Sequence, residues 1–360
     1  MPLKIVHCAD LHIGAAFSHL PSSLAKEREE EICSAFLNII DYCKEKSVDA
    51  LLICGDLFDC PNPKKKDCEF VKKALSSLAP IPVFIICGNH DYMCAESPYS
   101  KDNYFTDNVH IFPCIDYSFE LPFKNAVIYG KSYSSTITQP TFKDIKLDET
   151  KLNIICLHGD TLSSSDYNTI SYETLSLLPF NYAAFGHIHN GEIFKVGNVK
   201  CAYSGTPEGH KFNDDGSTGF IYAEITADAT KLFPVSFSKR HYHNISYNIS
   251  GEKTEQIISK LKEIININDL YKITLLGEYI EEINLYRLTK ELEHYAFYID
   301  ITDNSSPAYD FDSIESEDSL RGEFLRELRG LCQNEEEFIR SGKAGLDALS
   351  GKKPCLEAEI

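Results

Sequence analysis

Three short apolar runs, Leu3–Cys8, Ala50–Cys54 and Pro80–Cys87, are separated by two stretches whose apolar residues recur at helical spacing. In the first stretch Ile32, Phe36, Ile39, Ile40 and Cys43 share one face of Glu27–Lys46; in the second, Cys68, Val71, Leu75 and Leu78 do the same. Runs without polar alternation belong to strands covered on both faces, and the intervening helices carry the chain back so that successive strands point the same way. This order predicts a βαβαβ unit with an internal, largely parallel sheet. The prolines of the third run stand at its entry, where they remove no interior ladder bond.

Further strands are predicted over Val109–Phe112, Ala126–Gly130, Leu152–Leu157, Tyr182–Phe185, Val199–Ser204, Gly219–Ile225 and Lys231–Phe237. Few helical stretches separate them, so this half of the domain is expected to be more antiparallel, giving a two-sheet core with helices outside. The rhythm changes near Phe237. Residues 240–302 read as a small α+β domain, and 303–360 as a linker and helical tail, leaving 1–239 as the main domain. A polar link, Thr302–Asp318, precedes a helix with Leu320, Phe324, Leu328 and Leu331 on one face, which docks on its own core or on a partner.

With 360 residues, 43% hydrophobic and 25% charged, the chain can bury a full core and is not disordered. No run is apolar enough to span a bilayer and the N-terminal residues lack a secretory pattern, so a cytoplasmic protein without membrane contact is expected. Thirteen cysteines without a Cys-x-x-Cys pair fit reduced thiols that act as small core residues. A formal charge of −19 argues against indiscriminate binding to phosphate backbones, unless bound cations or a partner supply positive field.

Polar residues follow the apolar runs in a fixed way. Asp10-Leu11-His12, Gly55-Asp56, Gly88-Asn89-His90-Asp91, His158-Gly159-Asp160 and Gly186-His187-Ile188-His189 each come directly after a predicted strand. The carboxyl ends of strands in an open α/β sheet are where ligands bind. Carboxylate, amide and imidazole donors together suit Mn²⁺, Fe²⁺ or Zn²⁺. Glycines before Asp56, Asn89 and His187 permit sharp turns and leave room beside the donors. In Asp10-x-His12 and His187-x-His189 the paired side chains emerge on one side if the segment stays extended. Singly, an Asp-x-His or Gly-Asp is an ordinary turn, and His158 or His187 a satisfied core histidine. The ordered recurrence points to a metal centre.

The stretches KIVHCADLHIGAAF, DALLICGDLFD, VFIICGNHD, ICLHGD and FGHIH resemble, in order, the motifs of the calcineurin-like metallophosphoesterases. AYSGTPEGHKFNDDGSTGF and LRGEFLREL are similar to segments of the DNA repair exonuclease branch, the SbcD-type nuclease subunits and their shorter YhaO-like subfamily. The resemblance implies an α/β fold, a two-sheet sandwich flanked by helices, with a small α+β cap domain and a helical C-terminal tail. It implies two divalent metal ions, Mn²⁺ first, with Mg²⁺, Fe²⁺ or Zn²⁺ as alternatives. Asp10, His12 and His189 would hold one, Asn89, His158 and His187 the other, and Asp56 would bridge them. His90 is implied as the non-ligand histidine beside the scissile phosphate, and Asp59 and Asp91 as carboxylates that orient ligands or His90.

The implied activity is metal-dependent DNA exonuclease cleavage by an activated water, with single-strand endonuclease activity, in repair or recombination. Implied partners are DNA ends or single-stranded DNA and a coiled-coil ATPase of the SbcC or YhaN type, with a homodimer left open. A calcineurin-like phosphodiesterase or phosphatase acting on a small nucleotide or phosphoprotein shares all five motifs and is the alternative. Lys64-Lys65-Lys66 is expected in a loop near the site, as a solvated face or a phosphate contact. Tyr92, Tyr99 and Tyr104 would stack on an unpaired base or pack beneath a loop.

Overall fold

The computed structural model describes residues 1–137, 142, 145–160, 167, 170–214, 216 and 218–351. They form two compact units, Met1–His243 and Asn244–Ile360. The first opens with β1 (Leu3–Cys8), α1 (Ser22–Lys46), β2 (Ala50–Cys54), α2 (Lys65–Ser76), β3 (Val83–Ile86) and β4 (Val109–Ile111). It continues through β5 (Tyr117–Leu121), β6 (Ala126–Gly130), β7 (Leu152–His158), α3 (Tyr172–Leu177), β8 (Tyr182–Gly186), β9 (Glu192–Val196), β10 (Val199–Tyr203), β11 (Phe220–Ile225) and β12 (Thr230–Val235).

One sheet runs β12-β11-β1-β2-β3-β4, with β1 to β4 parallel and β11 antiparallel to both its neighbours. The other runs β5-β6-β7-β8-β10-β9. Its four inner strands β6, β7, β8 and β10 are parallel, and only the edges β5 and β9 pair antiparallel. The second half is thus more antiparallel than the first at β5, β9, β11 and β12, as expected, whereas the inner strands of the second sheet are parallel. The long connections 131–151 and 159–181 give the chain length to cross back, which parallel pairing requires whether or not the crossover is helical.

Ile5, Leu52 and Ile86 from the first sheet meet Ile128, Ile154 and Tyr182 from the second in a fully enclosed core. Each large apolar side chain buried there contributes about 1.5–3 kcal/mol relative to exposure. His7 is a polar exception on β1. Its ring bridges the sheets through the Tyr182 hydroxyl (2.7 Å) and the Phe185 carbonyl (3.1 Å), and burial holds it neutral, with its pKa lowered to about 3. The cysteines among the described residues are free thiols, and Cys355 lies outside those residues.

β13 (Tyr242–Asn248) begins at the end of the first unit, and α4 (Thr254–Ile264), β14 (Leu270–Leu276), β15 (Glu278–Tyr279), α5 (Leu285–Leu292), β16 (Tyr298–Asp303) and β17 (Ser306–Pro307) follow in the second. Ile257, Leu261, Leu288 and Leu292 of α4 and α5 belong to one cluster with Ile273 and Ile299 of the β13-β14-β16 sheet. Then α6 (Phe311–Glu315), α7 (Leu320–Leu331) and α8 (Glu335–Leu349) share a separate cluster of Ile314, Leu325, Phe338 and Leu346. The segment expected to be a polar link therefore holds β17 and α6. On α7 Phe324 and Leu328 pack into the tail cluster, while Leu320 and Leu331 stay 70% and 79% exposed. Among the described residues no helix is long and apolar enough to cross a membrane.

Candidate metal centre

The polar segments leave the strand ends by left-handed backbone rather than by extension. Asp10, His12, Asp56 and His187 have φ of 55°, 45°, 51° and 91°, a region that costs non-glycine residues about 1–3 kcal/mol each. Asp10-x-His12 is therefore not extended, and the condition under which an extended segment would put both side chains on one side is not met. The turn is tight because the backbone of His12 donates to the Asp56 carbonyl (2.9 Å) and that of Asp10 to the Gly55 carbonyl (3.1 Å). Gly55 itself sits at φ +88°, and a Cβ there would lie 2.2 Å from the His158 ring.

All seven sequence-predicted ligand side chains come together. His158 Nε2 lies 2.8 Å from Asn89 Oδ1 and 3.3 Å from Asp56 Oδ2, and its Nδ1 is 3.9 Å from Asp10 Oδ1. Asn89 Oδ1 also meets His187 Nδ1 at 3.2 Å, and both Asp10 oxygens accept from the His187 backbone N–H at 3.0 and 2.9 Å. His12 Nε2 stands 3.7 Å from Asp56 Oδ2 and 3.3 Å from His189 Nε2. Asp10, His12, Asp56 and His158 are buried, and Asn89, His187 and His189 are half-buried at the mouth. Two groups fit a cation each, Asp10 with His12 and His189, and Asp10 with Asp56 and His158; a third groups His12 and Asp56 with His90.

The hydrogen-bond roles say what this arrangement wants. His158 Nδ1 faces the Cys54 carbonyl (2.9 Å), a pure acceptor, so Nδ1 carries the proton and Nε2 turns a lone pair toward Asn89 and Asp56. His12 Nδ1 faces Asp59 (3.1 Å) and His189 Nδ1 faces Asp214 (3.0 Å), so their Nε2 lone pairs oppose each other across 3.3 Å. Lone pairs held this close need a positive charge among them, and the donor set fits divalent transition metals. A proton fills that need in part. Burial disfavours charge on His158, but Asp56 beside it overrides this and pushes the pKa up to about 9. Burial likewise opposes charge on His12, yet Asp59 with Asp56 and Asp10 raise it. His187 goes the other way, lowered to about 3 by burial and then by its neighbour His158. Burial raises Asp10, whereas at Asp56 the same burial is outweighed by His158 and the carboxyl stays well below the usual range.

Asp59 and Asp91 differ in position. Asp59 reaches His12 at 3.1 Å and His90 at 3.8 Å at the cavity wall. Asp91 is fully buried and accepts from the Gly88, Asp56 and Phe58 backbone N–H groups (2.7, 3.2 and 3.2 Å) and the Tyr99 hydroxyl (2.6 Å). It ties the Asp56 turn to the Asn89 turn. Tyr99 is thereby a packed, buried residue, not a stacking surface. His90 is exposed, its backbone N–H bonded to Asp56 Oδ1 (2.9 Å) and its ring 4.7 Å edge-on to His12.

Lys64 caps α2 and Lys65 and Lys66 open it, all exposed, with Lys66 near Glu29 (3.6 Å) and Asp67 (3.9 Å). These lysines belong to a helix start away from the cavity walls, not to a loop at the site. Tyr104 is half-buried beneath Lys72 and Lys101, whose ammonium groups stand 4.8 and 5.8 Å from its ring.

A cavity of about 520 Å³ opens over the cluster, lined by His12, Asp56, Asn89, His90, His187 and His189. The same cavity is lined by Phe17, His19, His210, Asn213 and Asp214, which the sequence did not mark as functional positions, and by Lys211. The available signal was the GHKFNDD run, whose polar residues follow no strand.

The calcineurin-like phosphoesterase family model matches residues 3–191. The chain is similar to the uncharacterized metallophosphoesterase YhaO of Bacillus subtilis (strain 168), 25% identical over 353 residues that cover 94% of this chain and 80% of that protein. It is also similar to the DNA double-strand break repair protein Mre11 of Sulfurisphaera tokodaii, 25% identical over 320 residues, 82% of this chain and 79% of the relative. The Mre11 of Sulfolobus acidocaldarius is 26% identical over 327 residues, 82% of each chain.

Proposed function

We propose, for a chain that belongs to the calcineurin-like phosphoesterase family and is a metal-dependent phosphoesterase, that two cations in the strand-end cluster cleave a small phosphoester seated in the cavity above it. The reading these observations favour is a phosphodiesterase or phosphatase acting on a small nucleotide or phosphoprotein. One observation carries it: a cavity of about 520 Å³ whose lining includes Lys211 as its sole lysine among the described residues and no arginine. Such a site grips one phosphate through metals. It offers little to a long polyanion, which is held by many lysines and arginines displacing counterions.

Bound cations would supply an acidified water and a hold on the non-bridging phosphate oxygens. The protein's own groups do the rest. Asp10, His12 and His189 are proposed for one cation, Asn89, His158 and His187 for the other, with Asp56 between, since its Oδ2 faces both His12 and His158. Mn²⁺ is the proposed metal. Asp59 orients His12, and Asp91 fixes the Asp56 turn. His90 projects into the cavity with its backbone pinned, placed to give a proton to the departing oxygen. His90→Asn is expected to lower turnover by about 10²-fold while both cations remain, within the usual range for a general acid. Loss of a cation in that variant would make His90 a ligand, as its grouping with His12 and Asp56 permits.

Similarity favours a second reading, the DNA exonuclease with single-strand endonuclease activity. It extends over 94% of the chain with YhaO and 82% with a protein named for double-strand break repair, well past residue 191. In that reading the second unit comprises a cap and a partner-docking tail, an SbcC- or YhaN-like ATPase meets the exposed Leu320 and Leu331, and DNA ends enter the cavity. With −19 formal charges the isolated chain should bind duplex DNA weakly, and anisotropy across a salt series checks this. A tight complex with a log–log slope of about −6 would reveal a concentrated basic track and count for the nuclease. Turnover of cyclic nucleotides, p-nitrophenyl phosphodiesters, a phosphopeptide and end-labelled linear DNA with Mn²⁺ separates the readings. The first expects the small esters to lead; faster cleavage of DNA ends overturns it.

A further inference from the structure

The geometry points to Asp214 as the positioning residue for His189, making one of the two cation positions depend on the Ser204–Asp214 loop, and we infer this from hydrogen bonds alone. The inference rests on the two-cation reading above. Asp214 is 3% exposed. Its Oδ1 accepts a hydrogen bond from His189 Nδ1 (3.0 Å), and its Oδ2 accepts from the backbone N–H of His210 (2.8 Å) and Lys211 (3.2 Å). One carboxylate thus has three donors, and its plane is fixed by two of them. His189 is left with Nε2 aimed at His12 Nε2 and the Asp10 group.

The loop that carries Asp214 is itself clamped to the ligand segments. The Thr206 hydroxyl donates to the Asp10 carbonyl (2.8 Å), and its backbone N–H to the His189 carbonyl (2.9 Å). Two residues on, buried Glu208 accepts from Arg28 Nη1 (2.9 Å) and from the backbone N–H of Lys239 (2.8 Å) and Arg240 (3.2 Å). Arg28, fully buried, also donates to the Gly209 carbonyl (2.8 Å) and meets Glu31. A chain of short contacts therefore runs from α1 through the loop to His189.

The other ligands lean on different supports. His158 is oriented by the Cys54 carbonyl, and Asn89 is bonded by His158 and His187. Asp59, which backs His12, is 39% exposed, a looser support than Asp214. Removing Asp214 should therefore disturb one cation and spare the other. A carboxylate that orients a ligating imidazole is worth about 10–100-fold in metal affinity.

The test is calorimetric titration of the full, chelator-stripped chain with Mn²⁺, which needs no substrate. Two sites are expected, with Asp214→Asn weakening one by about 10–100-fold and leaving the other within about two-fold. In a His189→Ala background the same change should add nothing, because Asp214 acts through that ring. Asp214→Glu keeps the charge and stands in if the asparagine variant does not fold; it should show the same one-site loss. Equal loss at both sites, no loss, or an added loss in the His189→Ala background would overturn the inference. The two-cation reading fails separately, and takes the inference with it, if the unaltered chain takes up no cation.

Discussion

Asp56→Asn is expected to cut phosphoesterase turnover by about 10³-fold or more and to leave one tightly held cation where the unaltered chain holds two. Asp56 Oδ2 is the oxygen that faces both His12 and His158, and the residue belongs to two of the three candidate ligand groups. It is 2% exposed, so bulk water cannot replace the lost charge. Asparagine keeps the shape, tolerates the left-handed backbone at φ 51°, and still offers an oxygen to the His90 N–H. The change therefore removes charge with little else. Loss of one pre-placed electrostatic contact costs about 10²–10³-fold, and here the residue also sets the spacing of two ions. Metal analysis of the dialysed variant beside steady-state rates checks the claim. Two retained cations with turnover within ten-fold would show that the clusters do not share this residue.

The donors were legible in sequence because strand-end chemistry leaves a local mark. An apolar run followed at once by Asp, Asn or His is hard to produce by packing alone, and the five occurrences lie in the first 189 residues. Glycines at 55, 88 and 186 strengthened the pattern. Polarity of the second sheet was hidden because the connections before β7 and β8 hold one short helix, α3, among the described residues; their length, not their periodicity, was the clue. Asp214 follows Asn213 in a polar run without a strand before it, so nothing local distinguishes it. The Arg28–Glu208 pair spans 180 positions, and both residues look like ordinary surface charges until α1 and the loop are brought together. Burial of Arg28 and Glu31 on the inner face of α1 reverses what a helical charge pattern suggests. Local signals named the chemistry, then, and missed the supports that hold it, because supports are non-local by nature.

Gly186→Ala should be the most damaging single methyl in the first unit. The residue ends β8, where the two sheets converge on the cation cluster. A Cβ there would stand 2.0 Å from the Cys54 carbonyl oxygen, 2.7 Å from Ala9 Cβ and 2.9 Å from His158 Nδ1. The nearest obstacle is backbone in the middle of a sheet, which cannot swing away as a long side chain can. That carbonyl is also the acceptor that fixes the His158 ring at 2.9 Å, so relief by moving it would release the ring. Overpacking in cores usually costs about 1–3 kcal/mol, and this site should meet or exceed the top of that range. Gly330→Ala is the matched control: exposed on α7, with nothing within 4 Å of the added methyl, it should leave stability unchanged or raise it by up to about 1 kcal/mol. Urea melts of the metal-free chains, followed by Mn²⁺ titration, compare the two. The expected result is a transition for Gly186→Ala shifted by at least about 3 kcal/mol, with weakened binding at the cation position that includes His158. If both variants melt together and bind alike, the sheets are not pressed together at this strand end, and the convergence of ligands must owe its precision to the turns alone.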